Sequence, residues 1–174
     1  MGLKSWWARR GTRTDAGSAI APPPGPPTEK DILASLNRVN AMLTEGNAPP
    51  VVTSRVVRIA RTINETLPRL RNLGPGSMDG YSVVATATTY LPEAVGGYLR
   101  LPRDWADTRP IEGYKTSLMI LIEQLELLAS TMDKILDAAN RADAQALIAH
   151  GMFLEAKFGH GADGGPSLTL GSPT

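Results

Sequence analysis

The sequence predicts an all-α protein: an elongated bundle of about five helices, with a long, heptad-patterned fourth helix, flanked by disordered tails. Between Thr28 and Phe158 the apolar residues recur every three or four positions, which is the spacing of one helix face. β-branched residues never alternate with polar ones over the length of a strand. About half of the proline and glycine residues lie in the two end segments, so the middle of the chain is free to form helices.

Composition divides the chain into a helical bundle domain at 28–158 and two tails that are expected to be disordered, 1–27 and 159–174. The first tail is basic and rich in proline, and the second is rich in glycine and proline, and neither offers enough apolar side chains for a core. The whole chain has a formal net charge of +1. Because this charge provides no overall positive field, nucleic acid is an unlikely partner.

The first two helices have clear ends. Thr28 is a typical N-cap residue, with acids following in the first turn, and Gly46 with Pro49-Pro50 ends the first helix. The second helix starts near Val51 or Thr53 and ends at 74–76 (GPG). The residues expected to face the core are Ile32, Leu36, Val39 and Leu43 in the first helix, and Val52, Val56, Ile59, Ile63, Leu67 and Leu70 in the second.

The third apolar series crosses Pro92 and Gly96-Gly97, so we expect it to bend or break. A proline inside a helix removes one backbone hydrogen bond and clashes with the carbonyl four residues earlier. Kinks are therefore expected near Asn64, because of Pro68, and near Thr88, because of Pro92. The series consists of Tyr81, Val84, Thr88, Leu91, Val95 and Tyr98.

The fourth helix, predicted at 110–140, has the strongest pattern. Its apolar residues alternate in steps of four and three, which is a heptad seam. The seam consists of Tyr114, Leu118, Leu121, Leu125, Leu128, Met132, Ile135 and Ala139. Ile122, Ala129 and Leu136 widen this seam, as in a bundle. A last helix is expected to start at an Asp143 cap and to pack Leu147, Gly151, Leu154 and Phe158 against the core.

Three further apolar residues of the fourth helix, Met119, Ile120 and Leu127, lie outside the seam. Exposed apolar strips of this kind mark interfaces. Helix 111–140 is therefore expected to bind a protein partner or to self-associate along its 119–127 side. The alternative, that the first helix or the 79–101 segment covers the strip within one chain, remains open.

Chemically reactive residues are scarce. The chain has no cysteine and two histidines, His150 and His160, and it contains neither a phosphate-binding glycine loop nor the spacing of a metal site. Glu123 and Glu126 are expected to form the solvated face of the fourth helix. No catalytic residue, cofactor or metal is predicted, and a non-catalytic protein is favoured.

Two groups in the body are candidate contacts. Four arginines, Arg55, Arg58, Arg61 and Arg69, lie opposite the apolar arc of the second helix. They form either a solvated face that pairs with Glu65 or a patch for an acidic partner. Trp105 lies in a charged segment predicted as a loop, where it either covers the end of the core or anchors an interface.

The N-terminal segment combines Trp6 and Trp7 with Arg9 and Arg10. It lacks the apolar run of a signal peptide, and the longest apolar run, 118–122, is far shorter than a membrane span. We therefore expect a cytoplasmic protein. The Trp/Arg segment is either an inert start, a contact with an anionic membrane at its inner face, or a peptide that docks in a groove.

Three short motifs carry a family resemblance over about 53–158: TTYLPE at 88–93, YLRLP at 98–102 and FLEAKF at 153–158. In these motifs the chain resembles the C-terminal helical region of the bacterial 5-bromo-4-chloroindolyl phosphate hydrolysis family. The resemblance implies a helical fold and a setting of toxic-anion (tellurite) resistance and stress response. The family name implies a phosphatase, but the chain shows no phosphatase motif, and it lacks the N-terminal membrane-spanning segments of some members.

The function expected from these observations is a non-catalytic helical interaction or scaffold protein in a bacterial stress or toxic-anion resistance context. A peripheral membrane adaptor that uses the N-terminal Trp/Arg segment is the first alternative. A phosphohydrolase with an unrecognised site is the second.

Overall fold

A long C-terminal helix organises the fold. The computed structural model describes residues 27–70 and 76–159. Its helices are α1 (Glu29–Glu45), α2 (Pro50–Thr66), α3 (Met78–Ala85), α4 (Leu91–Leu99), α5 (Arg103–Thr108) and α6 (Ser117–Phe158). A 3-10 turn at Leu67–Arg69 follows α2, and a π-helical turn at Thr86–Tyr90 joins α3 to α4. The predicted all-α bundle is confirmed.

The predicted ends and stripe of α1 are confirmed, and α2 starts at Pro50, next to the predicted Val51. The α-helical part of α2 ends at Thr66, earlier than predicted, and the predicted stripe residue Leu70 is only partly buried. The Thr28 side chain accepts a hydrogen bond from the Asp31 backbone, and the Asp31 carboxylate accepts one from the Thr28 backbone at 2.7 Å, forming a capping box. The hydrogen bonds from Thr28 lower the pKa of Asp31. All four predicted stripe residues of α1 are buried, and so are those of α2 from Val52 to Ile63.

Side-chain contacts between helices show their relative directions. Arg55 of α2 pairs with Glu126, Arg58 with Asp133 and Arg69 with Asp143, so α2 and α6 run in the same direction. Ser35 of α1 donates to the Ala87 carbonyl, and Arg103, just after α4, donates to the Gly46 carbonyl, just after α1. The α1 helix therefore runs in the same direction as the α3–α4 segment. The core lies between these four long elements.

The π-helical turn is the physical result of Pro92. In this turn the Leu91 amide bonds to the Thr86 carbonyl, five residues back. The next carbonyl, Ala87, would need the amide of Pro92, which has none. The hydroxyl of Ser35 on α1 donates to the Ala87 carbonyl instead, at 2.8 Å in a buried position. The irregularity expected near Thr88 takes the form of this π-helical turn, and α1 supplies the hydrogen bond that it leaves unmade. Near Asn64 α2 stays α-helical as far as Thr66, and Pro68 lies in the 3-10 turn that follows.

The predicted start of the fourth helix at Pro110 is wrong. Two short antiparallel strands, β1 (Pro110–Glu112) and β2 (Lys115–Thr116), precede the helix, and Gly113 between them has a φ of +57°. Helix α6 starts after Thr116, whose side chain accepts a hydrogen bond from the Met119 amide. Tyr114, expected in the seam, lies in the turn of the hairpin and is 76% exposed.

The predicted break before a separate last helix is also wrong. Asp143, expected as an N-cap, lies inside α6, which continues unbroken to Phe158. The last buried residue of α6 is Ala139, and the positions expected to pack on the core, Leu147, Leu154 and Phe158, are exposed. We call residues 140–158 the C-terminal extension. It continues α6 beyond the other elements that the structure describes.

The segment at 103–108, expected as a loop, forms α5. Its Ala106 is buried, while Trp105 is partly exposed. Among residues 27–70 and 76–159, no helix combines the length and apolar character of a membrane span.

Candidate interaction groove

A groove of about 530 Å³ lies between α4 and α6. The β-hairpin lies at one end of it, with the exposed side chain of Ile111. The groove is lined by Tyr90, Glu93, Ala94, Gly97, Tyr98, Leu101, Ile111, Ser117, Ile120, Leu121, Gln124, Leu127 and Leu128. Volumes of roughly 300–1,000 Å³ are typical of clefts that bind ligands.

The groove has a buried floor and an exposed apolar rim. Leu121 and Tyr98 are buried, whereas Tyr90, Ile111 and Leu127 are large apolar side chains that remain exposed. The small residues Ala94 and Gly97 leave space on the α4 side. Large apolar groups around an apolar floor are an arrangement that a partner helix can cover.

Polar groups in the groove are few. Glu93 is the one charged lining residue, and it forms no ion pair with the described part of the chain. The Ser117 hydroxyl oxygen is buried and has no hydrogen-bond partner among residues 27–70 and 76–159. An occupant of the groove would therefore meet mainly apolar surface.

A polar cluster holds the floor of the groove against α1 and α5. The Tyr98 hydroxyl donates to Asp107 at 2.6 Å and accepts from Arg103 at 3.2 Å. Arg103 also donates to the Gly46 carbonyl at the end of α1, at 2.9 Å. Burial, followed by the hydrogen bond to Asp107, raises the pKa of Tyr98 to about 12.

We expect Tyr98→Phe to reduce the free energy of unfolding by about 1.5 kcal/mol at neutral pH, because the bond to a carboxylate is lost. The raised pKa adds a pH dependence, since the folded state holds the phenolic proton more tightly than the unfolded state. That stabilisation is complete below about pH 10 and is lost as the pH rises towards about 12. The unfolding free energy of the wild type, measured in urea, should therefore approach that of Tyr98→Phe above pH 10. A constant difference across this range would contradict the assignment.

The structure places the candidate contacts of α6 on different surfaces. Ile120 and Leu127 line the groove, Leu127 being 69% exposed, whereas Met119 is not among the lining residues. Trp105 lies outside the groove, on the partly exposed side of α5. The predicted contacts Trp6, Trp7, Arg9 and Arg10 lie outside the described residues.

The arginines of α2 pair mainly with α6, and the expected pairing with Glu65 holds only for Arg61, at 3.9 Å. Arg55 bonds to Glu126 at 2.7 Å and Arg69 to Asp143 at 2.8 Å, while Arg58 pairs with Asp133. The side chains remain partly exposed, so each pair stabilises the fold by less than about 1 kcal/mol. Three of the four guanidinium groups are thus already used in holding α2 to α6.

The remaining reactive residues are dispersed. His150 lies on the C-terminal extension and stacks on Phe153, with 6.4 Å between ring centroids. Glu123, expected on a solvated face, accepts a hydrogen bond from Lys115 at 2.7 Å, which raises the pKa of that lysine. No group of three or more His, Asp or Glu residues in the described ranges is arranged to hold a metal ion.

Sequence reasoning missed two parts of the groove. Tyr90 lies outside the third apolar series, and it reaches the rim through the π-helical turn. The sequence pattern predicts Ile111 inside the fourth helix, whereas it lies on β1. The Gly113 turn was the available signal for the hairpin.

No family model, curated protein or solved structure matches the chain. The resemblance over 53–158 therefore stays a prediction.

Proposed function

We propose that this chain is a non-catalytic helical interaction protein that binds an apolar helix in the groove between α4 and α6. The observation that carries the proposal is the exposed apolar rim of Tyr90, Ile111 and Leu127 around a buried floor. A helix that docks in such a groove uses apolar side chains at every third or fourth position as anchors. The bacterial stress or toxic-anion resistance context rests on the family resemblance.

The proposal is tested by photo-crosslinking in the native host. A benzophenone amino acid replaces Leu127 in the groove and, as a matched control, Val57, which is exposed on α2 away from the groove. We expect a light-dependent adduct from position 127 and none from position 57.

Adding Ile120→Glu should reduce the yield of the adduct about tenfold or more, because a carboxylate cannot be buried in the apolar contact without cost. Ile120 is only partly buried, so circular dichroism should show an intact helical fold. Equal yields from positions 127 and 57 would refute the groove as a binding site.

A further inference from the structure

We propose that a second copy of this chain covers the groove, with the two α6 helices packed antiparallel and each C-terminal extension lying in the groove of the other copy. The inference rests on the proposed function of the groove and names its occupant. The observations behind it are two apolar surfaces that residues 27–70 and 76–159 leave exposed, the groove and the extension.

The C-terminal extension is unusually apolar for a solvent-exposed helix. Every residue of 144–159 is exposed, and six of them are large apolar side chains. These are Leu147, Ile148, Met152, Phe153, Leu154 and Phe158. An exposed apolar surface of this extent is typical of an interface.

The extension cannot cover the groove of its own chain. Leu128, at the end of the groove, and Leu147, the first large apolar residue of the extension, belong to the same unbroken helix. At 1.5 Å per residue they are separated by about 28 Å along the axis. A continuous helix cannot fold back over that distance, so the extension can reach a groove only on another molecule.

The lengths of the two surfaces match. Helix α6 spans Ser117–Phe158, and the residues with which it lines the groove occupy 117–128. When two such helices pair antiparallel over their whole length, residue 117 lies opposite residue 158, and residue 128 lies opposite residue 147. The groove segment of one copy therefore meets the apolar segment 147–158 of the other without any adjustment.

Exposed apolar side chains from the two ends of α6 meet in this register. Ile120, Leu127 and Ile148 are separated by multiples of seven residues, so they lie on one face of α6. Met152, four residues after Ile148, lies on the same face. In the full overlap Leu127, 69% exposed, lies opposite Ile148, 63% exposed. Elsewhere this register places Ile120 opposite Glu155, and Lys134 opposite Arg141, which is paired with Asp137 of its own helix at 2.7 Å. The apolar contacts at the two ends therefore define the pairing.

Symmetry makes the arrangement self-complementary. A two-fold axis near the middle of α6 creates two equal contacts, each between a groove and an extension. Pairing of the extensions alone would bury a single short patch. Stable interfaces bury roughly 1,200–2,000 Å² in total, which two helical contacts approach more readily than one.

The test uses the absence of cysteine from the sequence. The full-length double variant Leu127→Cys with Ile148→Cys is oxidised at micromolar concentration and run on a non-reducing gel. The two positions lie about 32 Å apart on one helix, so they cannot form a disulfide within a chain. We expect a covalent dimer at least ten times more abundant than in either single variant, and light scattering should show a dimer for the unmodified chain.

Val57→Cys with Ile148→Cys is the matched control, since Val57 is also exposed, on α2, and lies outside the groove. The proposal is overturned by a monomer in light scattering, by equal cross-linking of this control, or by efficient cross-linking of the Ile148→Cys single variant, which would mean that the extensions pair with each other. If position 127 nevertheless forms photo-adducts with a different protein, the groove function stands and only the second-copy inference fails.

Discussion

Leu125→Ala should lower the free energy of unfolding by about 2–5 kcal/mol, because a fully buried leucine loses its contacts and leaves a cavity. Leu125 lies in the middle of the α6 seam and is fully buried in the core between α2 and the α3–α4 segment. A domain of this size has roughly 5–15 kcal/mol of stability, so the loss is a large part of the total. Urea unfolding followed by circular dichroism measures it.

Leu127→Ala is the matched control. It makes the same chemical change two residues further along the same helix, but Leu127 is largely exposed. At low protein concentration, where self-association does not contribute, we expect a change of less than about 0.5 kcal/mol. Similar losses for the two variants would mean that the assignment of core and surface on α6 is wrong.

Ser35→Ala should cost about 1–3 kcal/mol, although it removes a single oxygen atom. The Ser35 hydroxyl donates to the Ala87 carbonyl, which loses its helical partner because Pro92 has no amide hydrogen. Without Ser35 this carbonyl is buried without a hydrogen bond, and the full cost of its desolvation is felt. Thermal and urea unfolding of the variant measure the effect.

Ser82→Ala provides the comparison, because the Ser82 hydroxyl bonds to the Met78 carbonyl at an exposed position of α3. We expect it to change stability by less than about 0.5 kcal/mol. The double variant Ser35→Ala with Pro92→Ala tests the cause. If the proline creates the need for Ser35, the cost of losing the hydroxyl should shrink in the Pro92→Ala background. An unchanged cost would show that the two residues act independently.

Local patterns predicted the elements whose determinants lie close together in the chain. The capping box at Thr28, the stripes of α1 and α2 and the interruption before Pro92 depend on residues within a few positions of each other. The hairpin at 110–116 was missed because two- and three-residue strands are too short for periodicity to register. In addition, Tyr114 fits the heptad spacing by coincidence, so the pattern extends the predicted fourth helix into the hairpin.

The ion pairs between residues far apart in the chain could not be predicted from the sequence. Glu65 was the nearest acid to the arginines of α2, but Arg55 and Arg58 pair with acids 71 and 75 positions away, which only the packing of α2 on α6 brings near. The groove could not be predicted for the same reason, because its two walls come from distant parts of the chain. The pattern marked Ile120 and Leu127 as unusual, but the opposite wall comes from α4, and the sequence could not give their separation.

The unbroken α6 has an energetic consequence for amide hydrogen exchange. Its backbone ladder is continuous from Ser117 to Phe158, but its side chains are buried only as far as Ala139. Amides before that point exchange when the whole domain opens, whereas those of the extension exchange by unwinding from the C-terminal end. Gly151, a weak helix former with no atoms near its Cβ position, lies within this stretch. One helix therefore contains two cooperative units, and contact with another molecule is what would join them.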